Sequence, residues 1–127
     1  MGVLRLGDAV HLTHAVVVPA GDHMLVTLCW EAERALPADY TVFVHLLDAD
    51  GALKTTGDGP PAAGAFPTSL WQPGDRIVDT HFLPEPALPG DSIVVGLYNP
   101  LDGIRLSALR DSVPAPNDAL LIWPLSP

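Results

Sequence analysis

Basic residues are scarce in this chain. Six Lys and Arg stand against 15 Asp and Glu, a formal charge of −9 over 127 residues. That balance excludes nucleic acid as a partner, because such binding is driven by cationic side chains neutralising phosphates. It argues equally against an anionic membrane surface. Cysteine is represented once, by Cys29, so no internal disulfide can form and the redox compartment stays unread. Its neighbours Leu28 and Trp30 mark it as a buried strand thiol rather than a nucleophile. No apolar run reaches 18 residues, so this segment does not insert into a bilayer. Residues 1–10, with Arg5 and Asp8, do not read as a signal peptide, and any export signal would lie outside these 127 residues. Phosphate-loop, dinucleotide-binding and zinc-ligand spacings are missing, as is a Gly-x-Ser-x-Gly elbow. The familiar signals of an enzyme are absent.

What is present is apolar and turn-rich. Leu, Val, Ile and Phe make up 38 of 127 residues, enough for one packed core, and the length suits a single domain over 1–127. Short apolar runs recur between Gly, Pro and Asp: Val3–Leu6, Val10–Val18, His23–Glu31, Tyr40–Ala49, Leu53–Thr56, Arg76–Leu83, Ser92–Tyr98, Ile104–Leu106 and Ala119–Trp123. This spacing predicts an all-β, antiparallel sandwich of about eight strands, jelly-roll or immunoglobulin-like. Tyr40–Leu47 is apolar on both faces and is expected at the centre of a sheet. Leu47–Leu53 reads as a hairpin turning at Gly51, and Glu31–Ala38 is the one stretch with helical character, cut short by Pro37. Residues 57–75 form a long connection whose Phe66, Leu70 and Trp71 are expected to pack across a sheet edge or end.

Of the 15 acids, 12 are Asp, and most sit beside turn residues, as in Gly21-Asp22, Asp50-Gly51, Gly74-Asp75 and Asp102-Gly103. Asp favours turns because its carboxylate bonds nearby backbone amides. Calcium is the one cofactor this composition leaves open, since that ion takes six to eight oxygen ligands. Asp48-Ala49-Asp50-Gly51 looks like the start of an EF-hand loop but lacks the third Asp and the closing Glu, so it is not one. Asp79 and His81 stand two apart on one strand face. Such a pair can orient a catalytic base or ligate a metal, yet neither Ser69 nor Ser107 has an activating partner. The plainer expectation is a polar pair that bonds the long loop or a neighbouring strand. His11 and His14, three apart on a strand, are expected on opposite faces, and His45 within an apolar strand as a satisfied core histidine. Among aromatics that could stack on a sugar, Trp71 in its polar loop ranks first, followed by Tyr98 beside Asn99, Trp30 and Trp123.

A resemblance enters at Leu28-Cys29-Trp30 and at Asp39-Tyr40-Thr41-Val42-Phe43-Val44-His45-Leu46-Leu47-Asp48. It continues through Asp58-Gly59-Pro60, Pro67-Thr68-Ser69-Leu70-Trp71 and Pro73-Gly74-Asp75-Arg76-Ile77-Val78-Asp79, and closes at Gly96-Leu97-Tyr98 and Arg105-Leu106. In these stretches the chain resembles a β-sandwich at the extracytoplasmic, C-terminal end of bacterial multi-spanning membrane glycosyltransferases of the dolichyl-phosphate-mannose mannosyltransferase type. The resemblance implies a non-catalytic accessory domain, part of a longer membrane protein and held outside the cytoplasm by a segment not among these residues. Its expected partners are carbohydrate or the parent membrane domain. The expected ligand contacts are Trp71, Asp58, Asp79, His81, Tyr98 and Asn99, with no catalytic residue and no metal ligand. The alternative expectation is a purely structural or interaction module with no small-molecule ligand. In that case Asp58 and Asp79 cap loop amides and Trp71 plugs the sandwich end.

Overall fold

A computed structural model describes residues 2–124. They form two packed antiparallel sheets, the sandwich that the alternating pattern predicts. The strands are β1 (Leu4–Leu6), β2 (Val10–Pro19), β3 (Met24–Ala32), β4 (Thr41–Leu47), β5 (Leu53–Thr56), β6 (Arg76–Leu83), β7 (Ser92–Tyr98), β8 (Ala108–Arg110), β9 (Val113–Pro114) and β10 (Leu120–Trp123). Six of them pair in the order β6-β3-β2-β1-β8-β9, and four in the order β10-β7-β4-β5.

Alternation decides which side chains meet between the sheets. From the larger sheet come Met24, Val26, Leu28 and Trp30 of β3 and Ile77 and Leu83 of β6; from the smaller come Val42, Val44 and Leu46 of β4 and Ile93, Val95 and Leu97 of β7. As its two apolar faces predict, β4 lies inside its sheet, between β7 and β5. The hairpin at Gly51 also forms. Asp48 Oδ1 accepts from Asp50 and Ala52 amides, and Gly51 takes a φ of 83°. Turn chemistry therefore occupies the carboxylate that opens the EF-hand-like stretch.

Five expectations change. Cys29 is half-buried on the outer face of the six-stranded sheet, between His14 and Val78, because alternation turns its neighbours Leu28 and Trp30 into the core instead. Glu31–Ala38 is not helical: β3 runs on to Ala32, and the Glu33 amide donates to Ala9 O. Ile104–Leu106 contributes an isolated bridge, Tyr98 to Arg105, rather than a strand, and the chain forms β8 and β9 beyond it. Leu70 is exposed rather than packed. A bulge between Leu12 and His14 sets His11 opposite Glu31 and His14 opposite Cys29, so the two histidines share the outer face. They do not act together, for His11 bonds Glu33 and His14 bonds Thr13.

Candidate functional site

The connection from β5 to β6 crosses the open side of the sandwich as a strap. Gly57 and Gly59 still pair with β4 (Gly57 N to Val44 O, Gly59 N to Val42 O), but the ladder is interrupted between them. The Gly57 carbonyl accepts from His81 Nδ1 at 2.7 Å, and the Val44 amide donates instead to Asp58 Oδ1 at 3.0 Å. Gly57 suits this position because a Cβ there would come within 2.5 Å of the Phe82 carbonyl. Two 3₁₀ turns follow, Pro61–Gly64 and Thr68–Leu70. Ala62 and Ala63 adopt left-handed φ of 52° and 54°, an uncommon state for alanine, and Asp79 Oδ1 accepts from the Ala62 amide at 2.9 Å.

Asp79 and His81 thus form a buried knot under the strap. Asp79 Oδ2 accepts from Trp30 Nε1 at 3.2 Å and lies 2.7 Å from His81 Nε2. Both nitrogens of His81 face acceptors, one a carbonyl and one a carboxylate, which is the arrangement that suits an imidazolium. Burial pushes its pKa down. The hydrogen bond and charge of Asp79, the Gly57 carbonyl and the charge of Asp58 outweigh that and hold it above the ordinary value. This is the polar pair bonding the long loop that the strand spacing suggests. Outside the knot, a shallow cleft of about 430 Å³ is lined by Asp58, His81, Thr56, Thr80, Phe82 and Pro84.

Trp71, Tyr98 and Asn99 make no hydrogen bond to this knot. Trp71 is fully buried, donates Nε1 to Phe66 O at 2.9 Å, and meets the Phe66 ring edge-on at 6.4 Å. Its placement corrects the expectation of an exposed stacking face, since no ring surface is left for a sugar. Trp30 is buried likewise, tied to Asp79. Tyr98 is half-buried at the end of β7, and Asn99 Oδ1 accepts from the Leu101 amide to cap the turn that follows. Ser69 donates to Asp39, remote in sequence from Asp79 and His81. Among the described residues no three His, Cys, Asp or Glu converge as metal ligands, and no helix is long and apolar enough to cross a membrane.

A second and roomier concavity lies on the outer face of the four-stranded sheet, and none of the ligand contacts nominated from sequence lines it, although Asp58 lies 3.5 Å from its floor residue His45 and Tyr98 bridges Arg105. It encloses about 760 Å³. Its floor is His45 and Leu47 of β4, Val94 of β7 and Leu121 of β10, and its wall is the segment from Arg105 to Asn117. No Asp or Glu lines it, although acids outnumber bases in the chain. Side-chain bonds hold the wall in place: Arg105 NH1 donates to Asn117 O at 2.9 Å, and Arg110 NH2 donates to Leu121 O. The Arg105 guanidinium carbon also lies over the Phe43 ring, 4.1 Å from its centre, a cation–π contact. Phe43 points outward from β4 yet is buried, because Gly96 stands opposite it on β7 and a Cβ there would come within 2.4 Å of its ring. The apolar second face of β4 was the one sequence signal for this site.

Compared with known proteins, the chain matches no family model, no curated protein and no solved structure.

Proposed function

We propose that this chain is a non-catalytic accessory module that binds carbohydrate, held outside the cytoplasmic membrane on a larger, glycosyltransferase-like protein. The observation that carries the binding reading is the groove on the four-stranded sheet. Its volume falls in the range of small-ligand sites, and an apolar floor beside a few placed polar groups is the usual composition of such sites. The aliphatic floor of Leu47, Val94 and Leu121 suits the C–H face of a sugar ring, while Arg105 and Asn117 offer donors to its oxygens. The engagement of both His81 nitrogens and the pairing of Ser69 with Asp39 favour a module without hydrolytic chemistry. Amide NMR titration with a broad set of oligosaccharides tests the reading. Binding is expected to shift resonances of β4, β7 and β10, and Leu121→Glu is expected to weaken it. Silence across the set would overturn it.

A second reading, an interaction module, is favoured by the outer face of the six-stranded sheet. Three rows there run across β2, β3 and β6: His14, Cys29, Val78; Val16, Thr27, Thr80; and Val18, Leu25, Phe82. None carries a formal acid or base other than histidine, and Val16, Val78 and Phe82 are each more than half exposed. Uncharged apolar patches of this kind mark association surfaces. Sedimentation equilibrium across a concentration series tests it. Concentration-dependent dimers that Val78→Glu dissociates would support this reading, and a monomer throughout would count against self-association.

A further inference from the structure

The groove contains a cation, Arg105, that no carboxylate among the described residues neutralises. Arg5 pairs with Glu33 at 2.6 Å, Lys54 with Asp91 at 2.6 Å, Arg76 with Glu31 at 3.4 Å and Arg34 with Asp8 at 4.0 Å. Arg105 pairs with no carboxylate among the described residues; it meets the Phe43 ring and the Asn117 carbonyl. In a chain with 15 acids and 6 bases, that is the less expected outcome for an arginine. The side chain is nonetheless fixed rather than loose. Gly96 makes room for Phe43, Phe43 supports the guanidinium plane, and Asn117 O holds one of its five N–H donors. A guanidinium held in one orientation, with donors left over and no acid lining its cavity, is preorganised for a planar oxyanion.

We propose that the groove takes an acidic saccharide, with Arg105 receiving the carboxylate and Leu47, Val94 and Leu121 carrying the apolar face of the sugar ring. The inference rests on the carbohydrate reading above and narrows it to rings that bear a carboxylate. Charge explains the narrowing: the protein as a whole repels anions at −9, so an anionic ligand is retained only where the local field reverses. The groove, where Arg105 stands with no Asp or Glu among the lining residues, is such a place.

The test uses two probes of the same length and linkage, an oligogalacturonate of three or four rings and its fully methyl-esterified, neutral form, titrated calorimetrically into the intact chain at low salt. The acid form is expected to bind about tenfold or more tighter than the ester, because a charge-assisted pair is stronger than a neutral hydrogen bond. Its affinity should fall as salt is raised. Arg105→Gln, which keeps a donor but removes the charge, should collapse the acid-to-ester ratio to about one. Should that variant unfold, as judged by its thermal transition, Leu121→Glu leaves Arg105 in place and is expected to penalise the acid form more than the ester. Equal binding of the two forms would overturn this inference while leaving the carbohydrate reading standing. Failure of both to bind would remove both. A tri-glutamate peptide that binds as tightly as the oligogalacturonate would overturn the saccharide class in favour of an acidic peptide.

Discussion

The two outer faces of the sandwich follow one rule of alternation and end up opposite in character. On the six-stranded sheet, Val16, Val18, Leu25, Val78 and Phe82 remain open to solvent with threonines between them. On the four-stranded sheet, the chain from Arg105 to Asn117 folds back over an equally apolar surface, buries Phe43 and leaves a walled groove with arginines at its rim. Strand periodicity states which side chains point outward. It says nothing about what later segment covers them, and that covering makes one face a cavity and the other a plain.

The joint between the sheets is the first place to break the comparison, because both faces depend on it. Asp79→Ala leaves Trp30 Nε1, His81 and the Ala62 amide without their shared acceptor. Removing one partner of a buried ion pair costs about 3–5 kcal/mol, so urea denaturation is expected to show a shift of that order. Asp79→Asn, which keeps an acceptor oxygen, should cost less. Gly96→Ala acts on one face alone. The added methyl would sit within 2.4 Å of the Phe43 ring, and overpacking of this kind costs about 1–3 kcal/mol. The Phe43 and Arg105 resonances are expected to move while those of β2, β3 and β6 stay put. If the open face shifts equally, the two faces are not independent.

A pH series sharpens the same contrast. His81 binds its proton more tightly folded than unfolded, so its stabilisation is complete below the ordinary value of 6.5 and is lost as pH rises through the raised folded value. Asp91 behaves oppositely. Its hydrogen bond from Lys54, then from the Leu88 amide, lowers its pKa, so its contribution is present above 3.8 and is lost as pH falls through the depressed value. The urea midpoint is expected to decline on the alkaline side in the native chain but not in His81→Gln. The smallest effect belongs to the open face, where Val78→Glu should change stability by no more than about 0.5 kcal/mol, since it disturbs no buried contact. A larger loss in that variant would show that the face is covered in solution.

Much of the fold was legible before any coordinates. The eight-residue alternation of β6 could bury Ile77, Asp79, His81 and Leu83 only on one side, so the acid–imidazole pair and its tie to the long loop followed from local spacing. Turn chemistry was legible in the same way at Asp48, Asp75, Asp91 and Asp102, each of which accepts an amide two or three positions away, whereas Asp39, Asp58, Asp79, Asp111 and Asp118 accept amides distant in sequence. Trp71 misled because a tryptophan among polar neighbours looks exposed until the loop is seen to fold its ring inward over Phe66. Of the groove, only the apolar second face of β4 was legible. The rest depends on Arg105 meeting Phe43, 62 positions apart in sequence, and on β8 joining the sheet opposite to the one it overhangs. No local pattern encodes such a crossing.

The knot under the strap also gives the protein an optical voice. The indole of Trp30 and the imidazole of His81 end on the same oxygen of Asp79, so a proton leaving the imidazole changes the electric field at a buried chromophore. Trp71, equally buried, is tied instead to the Phe66 carbonyl and packs against the Phe66 ring, neither of which titrates. Of the three tryptophans, Trp30 therefore signals the charge state of the joint between the sheets, and Trp71 serves as its buried internal reference.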